Sequence, residues 1–157
     1  IYANEYSHPL KFPLLSVVVS GGNTELVYMP SSMEFEIIGE TKDDAIGECF
    51  DKVARTVGLP YPGGIPIDKL SKEGEHTYNL PTPLHDGSLN FSYSGLKTAV
   101  INLVNNEKAR GNEINIPNLC KSFQDTAIGM VMDRVNRAVN QYDIKQIVLA
   151  GGVSANS

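Results

Sequence analysis

The sequence is poor in metal-ligating residues. Two cysteines, Cys49 and Cys120, and three scattered histidines, His8, His76 and His85, in 157 residues show no metal-ligand spacing, so no metal site is expected within this chain. Both cysteines fall on helical apolar periodicity and read as small buried hydrophobes in a reducing cytosol. No apolar run approaches the roughly 20 residues that span a bilayer, and no signal-peptide pattern is present, which leaves no membrane role. Positive charge is also short. A net charge of −5 argues against a nucleic-acid binder that works by charge alone, but leaves RNA as a substrate held by partners or by a local basic patch. No glycine falls in a GxxxxGK-Ser/Thr loop or in a GxGxxG that opens a helix, so a bound nucleotide is held in some other way. Nor is there a Ser-His-Asp set: Ser94-Gly95 lacks the GxSxG elbow, and no histidine sits in a motif that serves as a base.

What is present is ordinary for one globular domain. Hydrophobic residues make up 41% and charged residues 20%, and a chain of this length buries roughly two thirds of its unfolded surface. The start, "IYANEYSHPLKFP", lacks a methionine, and the stop, "LAGGVSANS", comes where a helix is expected to begin; the expectation is an excised portion of something longer. Residues 13–19, 25–29 and 34–39 read as three short strands joined by Gly-Gly-Asn and Pro-Ser-Ser turns, an antiparallel meander. A helix is predicted over 43–57, with Thr41 as N-cap, Asp44 in a variant capping box and Gly58 as its stop. The remaining expectations are a short helix over 66–73, a polar surface loop over 75–92 and a helix over 95–106. A long helix runs from Pro117 to about Tyr142, with Ile128 and Val139 in its apolar series. A buried strand over 146–150 then leads into a truncated helix start. The sum is an α/β fold with a mixed sheet, three antiparallel strands plus a later one, flanked by helices.

Two glycine pairs and one acidic stripe invite a chemical reading. Gly21-Gly22, followed by Asn23, is either a tight hairpin connector or a backbone cradle for a ligand. Gly151-Gly152 follows a strand and precedes helical sequence; it is either a routine turn or a place where a ligand approaches the backbone. A third pair, Gly63-Gly64, lies in the proline-rich loop "GLPYPGGIPID". Asp44, Glu48 and Asp51 follow one another at i, i+4 and i+7. That is either a solvated acidic face or a stripe that meets something cationic or hydrogen-bonding.

Glycine turns after the first strand of a meander and after a late strand resemble those of the two-lobed actin, Hsp70 and sugar-kinase (ASKHA) superfamily. The runs "VSGGNTELV", "DDAIGECFDKVARTVGLPYPGG", "FSYSGLKTAV" and "AGGVSAN", in that order, resemble the TsaD family of tRNA threonylcarbamoyladenosine synthases, formerly described as O-sialoglycoprotein endopeptidases (Gcp). The likeness covers nearly all of residues 12–156. It implies that the chain is a single domain, approximately the second lobe of a two-lobed protein, with inserted helices over about 59–115. It further implies that Val18, Val19, Ser20, Gly21 and Gly22 match a backbone segment at the phosphate end of the ligand. Asp51 matches an aspartate that holds the ribose hydroxyls, Gly64 a glycine packed against the nucleoside, Asp68 a further ribose contact, and Asn156 a contact near the adenosine end. Asn23 stands where many relatives have histidine. Lys97, in "SGLKT", is a motif lysine without an assigned task.

The activity implied by the resemblance is transfer of the threonylcarbamoyl group from threonylcarbamoyl-AMP to the exocyclic amine of the adenosine 3′ of the anticodon in tRNA. An iron or zinc ion is implied too, with ligands outside this chain: the family's His-x-x-x-His motif, which "IYANEY" resembles the sequel of, is missing here. Implied partners are tRNA and, in bacteria, the TsaB and TsaE proteins; the implied location is the cytoplasm. The isolated chain is expected to be inactive and to self-associate through an exposed sheet edge or an uncovered lobe face. The alternatives are a metal-dependent O-sialoglycoprotein endopeptidase, a non-catalytic scaffold paralogue and a sugar kinase of the same fold.

Overall fold

The computed structural model describes residues 1–157. A 3-10 turn at Tyr2–Tyr6, which the sequence pattern did not suggest, precedes strands β1 (Leu14–Val19), β2 (Thr24–Met29) and β3 (Glu36–Glu40). Helices α1 (Ile46–Thr56), α2 (Gly64–Ser71), α3 (Ser94–Ala109) and α4 (Ile116–Gln141) follow, then β4 (Gln146–Ala150) and a final 3-10 turn at Gly152–Ala155. The sheet order is β3-β2-β1-β4. β1 pairs antiparallel with β2, Val17 opposite Leu26, and parallel with β4, Val17 opposite Leu149. The meander is therefore as expected, and the late strand joins it beside β1 across a helical crossover. No helix is long and apolar enough to cross a membrane.

Alternation along β1 divides the core. Leu15, Val17 and Val19 point into a 25-residue apolar cluster shared with the helices, whereas Leu14 joins Val27, Met29 and Val148 in a cluster of four on the other face. In the larger cluster Phe50 of α1 meets Phe123 of α4 edge-to-face, with ring centroids 4.9 Å apart. Cys49 and Cys120 are buried there as free thiols, and burial pushes them up to about 12 and about 11 respectively, so neither is a ready nucleophile.

Several expectations need correction. α1 begins at Ile46, not residue 43, because its first amides are met by the hairpin rather than by a local cap: Ile46 N donates to Thr24 Oγ1 (2.8 Å) and Gly47 N to the Ser20 carbonyl (3.1 Å). Thr41 instead donates its hydroxyl to the Asp44 carbonyl, at 2.6 Å, and shapes the preceding turn. α4 is capped by Asn115, whose side chain accepts from Asn118 N at 3.0 Å, with Pro117 in the first turn as expected. The short helix is displaced to Gly64–Ser71 and the third strand to Glu36–Glu40. Val139 is 40% exposed rather than inward, and the α4 face is completed by polar residues, Gln124 and Arg134. Residues 75–92 are not merely a surface loop: Leu80, Leu89 and Phe91 are buried, and Arg134 holds the segment through the carbonyls of Asn90 (3.1 Å) and Leu84 (2.8 Å). β4 is an edge strand with Ile147 and Leu149 half exposed, because they lie on the helix side of the sheet beyond the helices' reach. Only Val148 is buried there.

Candidate functional site

Each of the three glycine pairs contributes to one cleft of about 440 Å³, a size suited to a small molecule. Gly21 of the β1–β2 turn, Asp51 of α1, Gly64 and Asp68 of α2, and Asn156 after β4 all line it. Five of the nine residues singled out in the sequence thus converge, although they are spread from Gly21 to Asn156. Val18, Val19, Ser20 and Gly22 do not line it. Val19 is buried under the helices, Val18 packs on the opposite face of the sheet, and Ser20 caps the turn. Sequence reasoning missed Gly47, Phe50, Tyr61, Ile65 and Val153, which also line the cleft. The proline-rich loop "GLPYPGGIPID" was the signal that could have pointed to Tyr61 and Ile65; Phe50 sits in the core, as its apolar periodicity implied.

The hairpin's glycines are not there for turn conformation. Gly58, Gly87, Gly111 and Gly151 have positive φ, and Gly21 and Gly22 are not among them. A Cβ on either would meet nothing within 4 Å. Gly47 explains the close fit beneath them: a Cβ there would lie 2.6 Å from the Ser20 carbonyl and 2.7 Å from Gly21 backbone atoms. The helix start therefore lies directly against the hairpin, and Gly21 faces open space over the cleft. Ser20 Oγ already accepts from Gly22 N (3.3 Å) and Asn23 N (2.9 Å). The Gly21 amide has no protein acceptor.

The acidic stripe splits into separate tasks. Asp51 Oδ1 accepts from Gly63 N at 2.7 Å, which fixes the carboxylate's rotation and leaves Oδ2 for another donor. Asp44 receives Lys97 at 2.5 Å and Lys52 at 3.6 Å, and Glu48 receives Lys52 at 2.7 Å. Lys97 thereby acquires a structural task, joining α3 to the turn before α1. Asp43, which the sequence pattern left inside the helix, holds the start of α3. Its carboxylate accepts from the Ser92 and Ser94 hydroxyls (2.6 and 2.8 Å) and the Tyr93 and Ser94 amides (2.8 and 3.0 Å). Partial burial alone would raise this carboxyl; the four hydrogen bonds outweigh it and hold it at about 2.

On the other side of the cleft, both Asp68 oxygens are engaged. Gln124 Nε2 donates to Oδ1 at 3.1 Å, and Ser157 donates to Oδ2 through its hydroxyl at 2.7 Å and its amide at 3.3 Å. Burial opposes ionisation here as well, but the Ser157 and Gln124 bonds prevail and lower the carboxyl from its ordinary value. A carboxylate carries about four lone pairs, so Asp68 retains capacity for a ligand. No group of three or more His, Cys, Asp or Glu side chains is placed to hold a metal ion.

Comparison with known proteins bears on this cleft. A family model described as TsaD: tRNA N6-adenosine threonylcarbamoyltransferase matches residues 1–157. Proteins named tRNA N6-adenosine threonylcarbamoyltransferase from Listeria monocytogenes serotype 4b (strain CLIP80459) and Bacillus cereus (strain ATCC 10987 / NRS 248) are each 55% identical over 157 residues. These alignments take in 99% of this chain and 46% of each relative, so the chain spans about half the length of the curated relatives it matches. Among solved structures, (R)-2-hydroxyglutaryl-CoA dehydratase component A of Acidaminococcus fermentans superposes with a TM-score of 0.57 at 14% identity, covering 97% of this chain and 51% of that one. At that identity the likeness speaks to fold alone, and the fold is actin-like.

Proposed function

This chain belongs to the TsaD family of tRNA N6-adenosine threonylcarbamoyltransferases, and on that premise we propose that it is the nucleotide-holding lobe of a two-lobed tRNA-modifying enzyme. The full protein transfers the threonylcarbamoyl group of threonylcarbamoyl-AMP to the N6 amine of the adenosine 3′ of the anticodon. The amine attacks the carbamoyl carbon, the bond from that carbon to the phosphate oxygen breaks, AMP leaves with the electron pair, and the nitrogen loses a proton to water. The mixed anhydride is already activated, so the protein's contribution is positioning and charge stabilisation.

The observation that carries this reading is the convergence of Gly21, Asp51, Gly64, Asp68 and Asn156 on one cleft in a chain of this family. The free Gly21 amide is suited to an anionic oxygen of the adenylate, and negative charge develops there as AMP departs. Asp51 Oδ2 accepts from a ribose hydroxyl while Gly63 keeps the carboxylate turned toward it. Gly64 carries no side chain where the nucleoside lies against α2, and Tyr61, Ile65 and Val153 give the cleft its apolar surface. No side chain in this chain stands as a general base.

The iron or zinc ion implied by the family finds no fitting donor set among these residues. Its ligands belong on this reading to other parts of the full protein, and no step above runs through it. Transfer RNA as substrate, TsaB and TsaE as partners and a cytoplasmic location complete the proposal. The test is titration of a non-hydrolysable threonylcarbamoyl-adenylate analogue into the full-length protein and its Asp51→Ala variant. Affinity should fall at least tenfold in the variant, on the order of the 1.4 kcal/mol that a charged hydrogen bond supplies. Equal affinity in the two proteins overturns the reading.

A further inference from the structure

One buried polar residue lies behind the cleft without lining it. Gln124, 6% exposed on α4, stands between two residues that do line it. Its Oε1 accepts from Asn156 Nδ2 at 2.9 Å, and its Nε2 donates to Asp68 Oδ1 and to Ser71 Oγ, both at 3.1 Å. A primary amide is the side chain that serves here, because it offers an acceptor and two donors from one rigid plane. Its orientation is fixed by its neighbours: turned over, it would set its oxygen against the Asp68 carboxylate and its NH₂ against that of Asn156. Buried polar groups at full satisfaction hold their elements in one arrangement, and removing a member leaves the others with unmet bonds.

We propose that Gln124 is a positioning residue of this cleft, clamping Asp68 of α2 to Asn156 after β4 and so fixing the spacing of the wall that receives the nucleoside. The proposal rests on the adenylate reading above. Gln124 acts through its partners and touches no ligand. Ser71 serves as the third point of attachment, since its hydroxyl also donates to the Asp68 carbonyl at 2.7 Å and thereby ties the clamp to the last turn of α2.

The experiment uses the full-length protein with threonylcarbamoyl-AMP and tRNA, with Asp51→Ala run in parallel. Gln124→Leu, which keeps the apolar packing and removes all three hydrogen bonds, should raise KM for the adenylate about tenfold, leaving kcat at saturation within about twofold. Gln124→Glu places a carboxylate against Asp68 and should weaken binding likewise. Adding Asp68→Asn to it restores a donor–acceptor pair and should recover at least half of the lost affinity on a logarithmic scale. If Asp51→Ala loses the adenylate while Gln124→Leu binds as the wild type does, the clamp is overturned and the site reading stands. If the wild type shows no adenylate binding, both fall. A fall in kcat at unchanged KM also overturns the clamp. Should Gln124→Leu yield no folded protein, the two volume-conserving variants decide: recovery in the double variant supports the clamp, and additive losses overturn it.

Discussion

The two walls of the cleft are built by different means. On the hairpin side, main chain lies on main chain: the start of α1 rests on the β1–β2 turn at Gly47, and the second glycine pair rests on α1 at Gly63, where a Cβ would lie 2.7 Å from the Phe50 carbonyl oxygen. On the α2 side the wall is joined by side chains, with Asp68, Ser71, Gln124 and Asn156 in one hydrogen-bonded group. Backbone contact tolerates no added atoms but needs few residue types. A side-chain network tolerates changes of volume but needs donors and acceptors in matching order. The first wall therefore fails by steric overlap, the second by a lost or reversed hydrogen bond.

The largest effect is expected where the backbone wall is filled. Gly47→Ala sets a methyl group 2.6 Å from a carbonyl oxygen that cannot retreat without shifting the hairpin, and should cost about 3 kcal/mol of stability, readable by thermal or urea unfolding. A loss below about 1 kcal/mol would show that the hairpin yields, and the contrast between the walls would weaken. Gly21→Ala sharpens the same comparison from the other side. Its Cβ meets nothing within 4 Å and its φ is not positive, so stability should hold or rise slightly. Adenylate affinity should nevertheless fall about tenfold (about 1.4 kcal/mol) in the full-length protein, because the methyl group occupies the ligand's approach. A variant that loses stability and keeps affinity would reverse both assignments.

Asp43 offers the smallest effect and a control of a different kind, a side-chain joint away from the cleft. Asp43→Ala removes the group that holds the start of α3 and should cost about 1 kcal/mol near neutral pH. Its folded carboxyl is held at about 2, below the ordinary 3.8, so the contribution is present above 3.8 and is lost as pH falls toward 2. The stability difference between wild type and variant should narrow over that interval. A difference independent of pH would mean that the joint depends on packing, as the hairpin wall does. The Gly47→Ala cost, with no titrating group at its origin, should stay level over the same range.

Much of this architecture was legible in the chain. Short apolar runs separated by Gly-Gly-Asn and Pro-Ser-Ser turns announced the meander, helical periodicity announced α1 and α4, and the glycine pairs marked the turns that border the cleft. Asp51 stood out within a carboxylate stripe, and the four linked motifs carried the family likeness. Gln124 and Arg134 were not legible, since a polar residue on a helix's apolar face gives no sign of partners 32 to 56 positions away. The same holds for Asp43, whose neighbours Asp44 and Glu48 suggested a helical face when its carboxylate in fact belongs to α3. The α1 boundary was misplaced for a related reason: its cap comes from Thr24, 22 positions earlier.

The sequence by itself determined the element order, the meander and the family, because these depend on short-range periodicity and on contiguous motifs that a linear reading can detect. Only the tertiary structure decided which amides remain free, which carboxylates are already engaged, and that Gln124 joins the far wall. Hydrogen bonds are short and directional, so whether a donor is spent or available depends on distances of a few tenths of an ångström between segments far apart in the chain.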